Sequence, residues 1–563
     1  MLFCDDVMML GPIVRSVCST REYHHRELCQ EVPMTPNIAD IIRHHVSLEV
    51  RCLDRLYLHA YLPKLQTSGG LCYFLHDHLG FRIPSPALFK PIHDRFVTAI
   101  DRFVAAQRLP VVHFERGQRK DDIVADYRTR FPSRDGVVVL GVAQEKMRSF
   151  KAHKRPGPAV SFDFSRQSVA VNHYYFYVQD PEWGPAFLKI GTYLPYPVKI
   201  CLNGHEWVKQ QLRRADVGFD SLDNGFLACA DPERLQTICD QLGPADVQAF
   251  FDRWSHRLPW PLTAVDRAAG YEHRLAINQL EASLTQVFDR PVQGRHFFEA
   301  VIRDNLDLGR PDRVGLLFPR RITKATPPPA YGYRTRIITE GVEPSLHVEY
   351  KSSHVKQYFK EQHALRTETT INNPNDFAIN KGVDNLTHLR DLGQGVNRKL
   401  LEVERVSHQC VLTQDALDRL QHPTVETGQR ASALRFGDPR VMALCQAITG
   451  FTHLPRGFHN RDLRPQVEAL LGRPYSTAQM TYDLRRLRLK GIIHRLAGTH
   501  RYTATTYGLK VAFFYSKLYL RILRPNWQAL LPAEDTLPRP LRNALDHLDT
   551  EIRTLHEEAA LAA

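Results

Sequence analysis

The segment from Ser476 to Arg501 constrains the fold more than any other part of this chain. Ser476 stands where it can cap a helix over 477–490, and Gly491 follows where the helix must end. The apolar residues of that helix fall at spacings of four and three, at Met480, Leu484 and Leu487. A two-residue turn, Gly498-Thr499, then separates two short runs of strand-forming residues. The segment therefore predicts a helix followed by a β-hairpin.

Two further helices are predicted upstream of this segment. Asp438-Pro439 provides an N-cap and a proline at the first helical position, and Asn460 is placed to cap a second helix that stops at Gly472. The run from Leu484 to Arg495, followed by Arg501-Tyr502 and by Thr505 with Gly508, resembles winged-helix domains of bacterial regulators and replication proteins. The resemblance implies a nucleic-acid-binding domain over about 430–525, most readily for double-stranded DNA.

The charge of this region supports an interaction with phosphates. From Ser476 to Pro525 there are ten Lys and Arg residues and one acid, Asp483. Such a surface neutralises a DNA backbone while a helix enters the major groove. The residues predicted to contact nucleic acid are Thr481, Tyr482, Arg485, Arg486, Arg488, Lys490, Arg495, His500 and Arg501.

Composition sets the broader class. The chain has 563 residues with a net charge of +13, so several domains and a polyanionic partner are expected. Its 10 cysteines show no Cys-x-x-Cys pair, which favours reduced thiols over a zinc site. No apolar stretch reaches the length needed to span a bilayer, and the first residues lack the pattern of a secretory signal. A cytoplasmic, nucleoid-associated location is predicted.

The periodicity of the remaining chain predicts a multidomain α/β protein. Helices are expected at 38–62, 87–107, 205–214, 232–257, 266–288 and 389–420, and strands at 71–75, 110–114, 137–143, 171–178, 186–193 and at four sites within 334–371. The predicted domains are an arm (1–36), an N-terminal α/β domain (37–165), a hairpin plus helical domain (166–320), a small antiparallel sheet with a helix (331–420), the winged helix (430–525) and a partly helical tail (526–563). The proline run Pro327-Pro328-Pro329 is the predicted linker before the small sheet.

The predicted small sheet holds the first candidate for catalysis. Lys356-x-Tyr358 followed by Leu365-Arg366-x-Glu368 is similar to a hairpin of phage and plasmid replication initiators. Strand alternation puts Arg366, Glu368 and Thr370 on one face, which Glu349 of a neighbouring strand can join. Acids beside a lysine hold Mg²⁺ or Mn²⁺ and stabilise a phosphoryl transition state, whereas a cross-strand ion pair gives the same pattern. Glu349 and Glu368 are the predicted metal ligands, with Lys356 beside them.

A second candidate follows the apolar strand at 137–143. Gln144-x-Lys146, with Asp135 upstream, resembles a variant of the PD-(D/E)xK nucleases, in which an acid binds the metal and the lysine activates water. Gln144 stands where that family usually has an acid. A polar strand end is the alternative explanation.

A third pattern is His76-Asp77-His78, which resembles the paired metal-binding histidines of rolling-circle initiators, although Asp77 interrupts the usual apolar spacing. The whole chain also resembles a widespread family of uncharacterised bacterial proteins with a C-terminal winged helix. Motifs that carry this likeness begin at Val171, Leu202, Leu365 and Met480. The resemblance implies a domain plan and no activity.

Together these patterns lead to one main hypothesis and two alternatives. The main one is a DNA-binding protein of a mobile element, phage or plasmid that acts in replication initiation or in metal-dependent DNA processing. The first alternative is a transcription regulator without enzymatic activity, and the second is an RNA-binding protein whose aromatic residues near Tyr174 stack on unpaired bases. The oligomeric state stays open, and a dimer is one possibility.

Overall fold

The computed structural model describes residues 38–157, 160–307, 333–338, 345–408, 410, 412–426, 428–451 and 457–519, with positions 547, 550, 551 and 554. The predicted arm, the proline-rich linker and most of the predicted tail lie outside these residues.

The helices are α1 (Ile38–His45), α2 (Ser68–Tyr73), α3 (Phe89–Gln107), α4 (Lys120–Arg130), α5 (Gly204–Arg214), α6 (Pro232–Gln241), α7 (Pro244–Arg257), α8 (Ala264–Ala268), α9 (Pro291–Asp307), α10 (Leu386–His408), α11 (Gln414–Gln421), α12 (Pro439–Phe451), α13 (Asn460–Leu471), α14 (Thr477–Leu489) and α15 (Thr506–Lys517). The strands are β1 (Val46–Tyr61), β2 (Val111–His113), β3 (Gly136–Lys154), β4 (Phe162–Asp180), β5 (Gly184–Gly191), β6 (Val198–Asn203), β7 (Phe219–Leu222), β8 (Gly225–Cys229), β9 (Arg274–Phe288), β10 (Tyr333–Ile338), β11 (Ser345–Tyr350), β12 (Ser353–Lys360), β13 (Ala364–Ile371), β14 (Thr424–Glu426), β15 (Gln429–Ala431), β16 (Ile493–Arg495) and β17 (Tyr502–Ala504).

Eleven of the described strands form one sheet, in the order β10-β11-β12-β13-β9-β1-β6-β5-β4-β3-β2. All neighbours are antiparallel except β2 and β3. The prediction of mixed α/β structure is therefore confirmed. The prediction of a small separate sheet after the linker is wrong. β13 pairs with β9 and so joins the strands β10 to β13 to the large sheet.

Two predicted helices prove to be the central strands of this sheet. The segments 38–62 and 266–288 are largely β1 and β9, which pair with each other. β-Bulges interrupt this pairing between Leu53 and Leu56 and between Tyr57 and Leu58. A bulge adds one residue, so apolar side chains on one face are separated by three positions instead of two. The sequence spacing then imitates a helix.

The predicted strand at 71–75 is also wrong, because the chain is helical from Ser68 to His78. The Thr67 side chain accepts a hydrogen bond from the Gly70 amide and caps this helix. A short apolar run does not by itself distinguish a buried strand from a buried helix.

Other predicted elements are confirmed where their signals were strong. The structure forms α3, the tyrosine-rich hairpin of β4 and β5, and the hairpins of β11, β12 and β13. The predicted helix at 232–257 divides into α6 and α7 around Gly243-Pro244, since a proline removes a helical hydrogen bond.

The main hydrophobic core packs against the central strands. Leu56 and Leu58 of β1 and Ile200 of β6 are fully buried with Phe250 and Trp254 of α7. These packed side chains hold in place the strands that also carry the polar groups of the candidate site.

A second core is built by α12, α13, α14 and α15 with the hairpin of β16 and β17, and α10 and α11 contribute Val403, Val406 and Leu420 to it. Ser476 caps α14, and its side chain accepts from the Gln479 amide in a capping box. Gly491, at a φ of 72°, ends the helix, and Gly498, at 67°, forms the turn of the hairpin. No helix among the described residues is long and apolar enough to cross a membrane.

Candidate functional site

A band of polar side chains crosses neighbouring strands of the large sheet. On β12, Lys356 lies opposite Glu368 of β13, which lies opposite Ser283 of β9. One step along, Tyr358 lies opposite Arg366. Because alternate residues of a strand point to one face, these side chains share the same face of the sheet.

A buried ion network forms the inner end of this band. Arg366 donates from Nη2 to Asp54 Oδ2, and His205 Nε2 lies 2.5 Å from Asp54 Oδ1. The Ser283 hydroxyl donates to the same carboxylate at 2.6 Å. Arg366, Asp54 and His205 are each at most 1% exposed. A buried charge of this kind is stable only when it is paired and hydrogen-bonded, as these are.

The charged partners within this network determine the pKa values of Asp54 and His205. Burial alone raises the pKa of Asp54, but Arg366 and His205 outweigh it and hold the pKa far below its usual value. Burial lowers the pKa of His205, while Cys52 and Asp54 raise it, to a net value of about 9. At neutral pH the network therefore holds an aspartate between two cations.

Tyr358 is attached to the outer end of the network. Its hydroxyl donates to Glu368 Oε1 at 2.9 Å, and Arg366 Nε donates to the same oxygen at 2.6 Å. Lys356 Nζ lies 4.0 Å from the centre of the Tyr358 ring. Burial and the Glu368 charge raise the pKa of Tyr358, so the phenol is protonated at neutral pH. The arrangement brings together a phenol hydroxyl, a carboxylate and two cations.

Glu281 adds a further carboxylate to the same face of β9. Burial raises its pKa to about 7, and the charges of Asp54 and Glu368 contribute. Burial, followed by Asp54, also raises the pKa of Glu368. Arg55 Nε lies 3.9 Å from Glu281. Glu281 lies opposite Thr370, so it is diagonal to Glu368 across the two strands, and a divalent cation would offset the repulsion between their charges. Within the described residues, no group of three or more His, Cys, Asp or Glu side chains is spaced to hold a metal ion.

The predicted ligand Glu349 lies on this face as well, but two strands away from Glu368. It pairs with His354 of β12, which pairs with Thr370 of β13. Neighbouring strands are about 4.8 Å apart, so about 10 Å of sheet separates the backbones that carry Glu349 and Glu368. The structure pairs Glu368 with Tyr358 and Arg366 instead.

The structure does not bring Asp135, Gln144 and Lys146 together. Asp135 precedes β3 and accepts a hydrogen bond from Arg257 at 2.6 Å, whereas Lys146 lies eleven residues further along. At about 3.3 Å per residue, the strand separates them by about 35 Å. Gln144 and Lys146 are exposed. The half-buried acid of this segment is Glu145, which is bonded to Lys120, Lys189 and Tyr175.

The His76-Asp77-His78 motif lies on a helical turn, so its two rings do not share a strand face. His78 Nε2 contacts Asp266 at 2.7 Å, and His76 contacts its neighbour Asp77 at 3.3 Å.

The predicted nucleic-acid contacts divide into two groups. Exposed side chains belong to Thr481, Tyr482, Arg485, Arg488, Arg495 and His500, and Arg501 is half-buried. Arg486 and Lys490 are buried and do not face outward as predicted. Arg486 donates to the carbonyls of Ser432 and Ala433, and Lys490 donates to those of Arg419 and His422. Both side chains satisfy the backbone that precedes α12, which helical periodicity alone cannot reveal.

Sequence reasoning missed Asp54, His205, Ser283 and Glu281. Asp54 and Glu281 lie in the segments predicted as helices, where alternation along a strand was not considered. His205 is the second residue of α5, and the Asn203 side chain caps that helix by accepting from the His205 amide. The Leu-Asn-Gly-His run at 202–205 was the available signal, since it predicts a capped helix that starts with a histidine.

No protein-family model matches the sequence. The curated proteins contain no match either. Among solved structures, the chain is similar to a rolling circle replication initiator protein from Geobacillus stearothermophilus, with 7% identity and a TM-score of 0.19, over 63% of this chain and 83% of that one.

Proposed function

We propose that this chain is a DNA-processing protein of mobile-element, phage or plasmid type, which binds duplex DNA through its C-terminal module and cuts one strand with Tyr358. The observation that carries the proposal is the contact of Tyr358 with Glu368, whose carboxylate is held in turn by the buried Arg366. A protonated tyrosine needs a base within hydrogen-bond reach, and Glu368 is that base.

The proposed reaction is a transesterification. Tyr358 Oη attacks the phosphorus of a DNA phosphodiester, so a bond forms between tyrosine and phosphate and one bridging phosphorus–oxygen bond breaks. The phenol proton passes to Glu368, whose raised pKa suits it to accept a proton. The departing deoxyribose oxygen takes a proton from water. Lys356 lies over the phenol ring, where a cation stabilises the charge that develops on the phosphate, and the buried Arg366 holds Glu368 in place.

Glu281 is the residue we propose to hold Mg²⁺ or Mn²⁺, since Glu368 is used as the base. The metal would supply Lewis-acid polarisation of the phosphate oxygens. Asp54 positions Arg366, and His205 and Ser283 hold the Asp54 carboxylate in turn, so all three act through Arg366.

The C-terminal module is proposed as a winged helix that selects the site. The exposed face of α14 carries Arg485 and Arg488, and Arg495 and His500 flank it on the β16–β17 hairpin. A helix of this kind enters a major groove while the hairpin contacts the backbone.

The decisive experiment is a trapping assay for a covalent adduct. The full-length protein is incubated with single-stranded circular DNA and with supercoiled plasmid in Mg²⁺ or Mn²⁺, and protein–DNA adducts are resolved in denaturing detergent. Wild type is expected to form an adduct and Tyr358→Phe to lose it. Tyr73→Phe is the control, because Tyr73 is 61% exposed and distant in sequence from the site.

An adduct that persists in Tyr358→Phe would show that another nucleophile acts. Nicking without any adduct, unaffected by Tyr358→Phe, would instead favour metal-dependent hydrolysis. If wild type binds duplex DNA and never cuts it, the protein is a regulator, and a preference for structured RNA in competition would make it an RNA-binding protein.

A further inference from the structure

A cavity of about 290 Å³ opens on the large sheet, apart from the Tyr358 site. Five cationic side chains contribute to its lining, and we call it the basic pocket. They are Lys146, Arg148, Arg166, Lys189 and Lys199. The lining also includes two histidines and Tyr61, and it contains no aspartate or glutamate. Such a lining attracts anions, since clefts of one charge sign focus the field within them.

Two pairs of cations in the basic pocket lie close enough to repel each other, Arg166 with Arg148 and Lys189 with Lys199. Burial lowers the pKa of Arg166, and the charge of Arg148 lowers it further. Burial likewise lowers the pKa of Lys189, and Lys199 and Lys120 add to this, although Glu145 forms an ion pair with Lys189. Glu145, which lies outside the lining, thus offsets part of the positive charge of the pocket. Like charges held together stabilise a bound anion because it relieves their repulsion.

Other contacts hold parts of the lining in place. Arg166 donates from Nη1 to the backbone carbonyl of Gln66 at 3.2 Å, and Lys199 Nζ lies 5.7 Å from the ring centre of Tyr57. Among the residues that the structure describes, none makes a hydrogen bond or ion pair with the Lys146 ammonium. Burial, followed by Lys189, lowers the pKa of His173 to about 4, so this ring is neutral at physiological pH.

The register of the sheet connects the basic pocket with the Tyr358 site. His59 of β1 lies opposite Lys199 of β6, which lies opposite Lys189 of β5. Arg55, which contacts Glu281, is four residues before His59 on the same strand face. Four residues of strand span about 13 Å. Tyr57 stands between them on that face and is half-buried. Three strand spacings, about 14 Å, separate β12 from β1. A nucleic-acid strand whose phosphate lies at Tyr358 must cross this distance as well as the span along β1 to reach the pocket.

We infer that the basic pocket binds backbone phosphates of the single DNA strand that leaves the cutting site. This inference rests on the proposed function. The ligand chemistry is a phosphate ester beside an unpaired base, for which Tyr57 and Tyr61 offer stacking surfaces on the same strand. Single-strand sites commonly combine a basic groove with aromatic side chains in this way.

The test measures binding of fluorescent single-stranded oligonucleotides to the full chain by anisotropy over a range of salt concentrations. The variant carries Lys146→Ala and Lys199→Ala, and Lys151→Ala is the control, because Lys151 is an exposed residue of β3 outside the pocket lining. We expect the double variant to bind about tenfold more weakly, with a salt slope reduced by about 0.7 for each phosphate that the variant no longer neutralises. The control should bind like wild type.

The source of the phosphate is tested by competition with inorganic phosphate and with deoxyadenosine monophosphate. Oligonucleotides that outcompete both by orders of magnitude support a strand-binding pocket. Equal competition by the free compounds would assign the pocket to a small phosphorylated ligand and overturn the inference. So would a double variant that binds single strands as tightly as the Lys151→Ala control.

Failure of the inference and failure of the proposed function are distinguishable. If wild type forms no adduct and binds no DNA, the proposed function fails. If wild type forms the Tyr358 adduct while the double variant keeps its single-strand affinity, only the inference about the pocket fails.

Discussion

At the scale of single residues, the partners of a buried acid decide whether its pKa rises or falls. Asp54 and Glu404 are both fully buried, yet their pKa values move in opposite directions. Asp54 has two cationic partners, Arg366 and His205, whereas the contact that lowers the pKa of Glu404 is a hydrogen bond from Gln357 Nε2 at 2.9 Å. A neutral amide stabilises a carboxylate less than a guanidinium does.

Glu404 is therefore expected to make folding pH-dependent. Burial raises its pKa from 4.5 to about 8, so the folded protein binds this proton more tightly than the unfolded chain does. The free energy of unfolding should fall as pH rises from about 4.5 to about 8, and stay lower above that range. Glu404→Gln should remove this part of the decline. Thermal unfolding between pH 5 and pH 9 measures it.

The matched control for that experiment is Glu402→Gln, because Glu402 lies on the same helix and is half-buried. If Glu404→Gln and Glu402→Gln both show the same pH profile as wild type, Glu404 is ionised in the folded protein at neutral pH. That result would contradict the raised pKa of Glu404.

Residues of the site were predictable where their partners are close in sequence. Arg366 and Glu368 were found from one hairpin, since strand alternation places them on one face. Asp54 was not found, because its partner Arg366 is 312 residues away. Periodicity describes which face a residue occupies and carries no information on which distant strand lies beside it.

At the scale of secondary structure elements, the sequence described regular elements well and irregular ones poorly. α14 has a cap, a stop and an uninterrupted spacing, and its observed bounds are Thr477–Leu489. β1 and β9 carry bulges that break their alternation, and they were predicted as helices. Local sequence propensity predicts an element correctly only where no bulge interrupts the spacing of its side chains.

The exposed face of α14 leads to a prediction about duplex DNA. Arg485 and Arg488 are exposed on this helix, whereas Arg486 and Lys490 are buried in contacts with the backbone. Arg485→Ala with Arg488→Ala should weaken duplex binding and reduce the salt slope by about 0.9 for each phosphate left without its arginine. Gel-shift titrations across salt concentrations measure both quantities.

Arg102→Ala provides the control, since Arg102 is an exposed arginine of α3. Lys490→Met, in contrast, should lower the melting temperature, because the carbonyls of Arg419 and His422 lose their donor. Duplex affinity unchanged in the double arginine variant would show that another surface binds the DNA.

At the scale of the whole molecule, the large sheet unites segments that the sequence suggested were separate domains. β9 lies between β1 and β13, so the strands before and after residues 308–332 hydrogen-bond to the same strand. The prolines at 327–329 lie outside the described residues, and composition cannot show that the chain returns to the sheet it left.

A chain divided at residue 320 tests this arrangement. The first fragment alone would expose the edge of β9, a strand with many buried residues, and unpaired edges of this kind aggregate. We expect it to be insoluble when expressed alone and soluble when co-expressed with the second fragment, with which it should co-purify. A first fragment that remains soluble and monomeric alone would contradict the continuous sheet.

The separation between Asp54 and Arg366 also has a consequence for synthesis on the ribosome. Asp54 is translated 312 residues before its arginine. At about 5 to 20 residues per second, that interval lasts about 15 to 60 seconds. During this time a nascent chain that buried Asp54 would hold an aspartate without its arginine, which is costly. We therefore expect the ion network around Asp54 to form only after Arg366 has been translated.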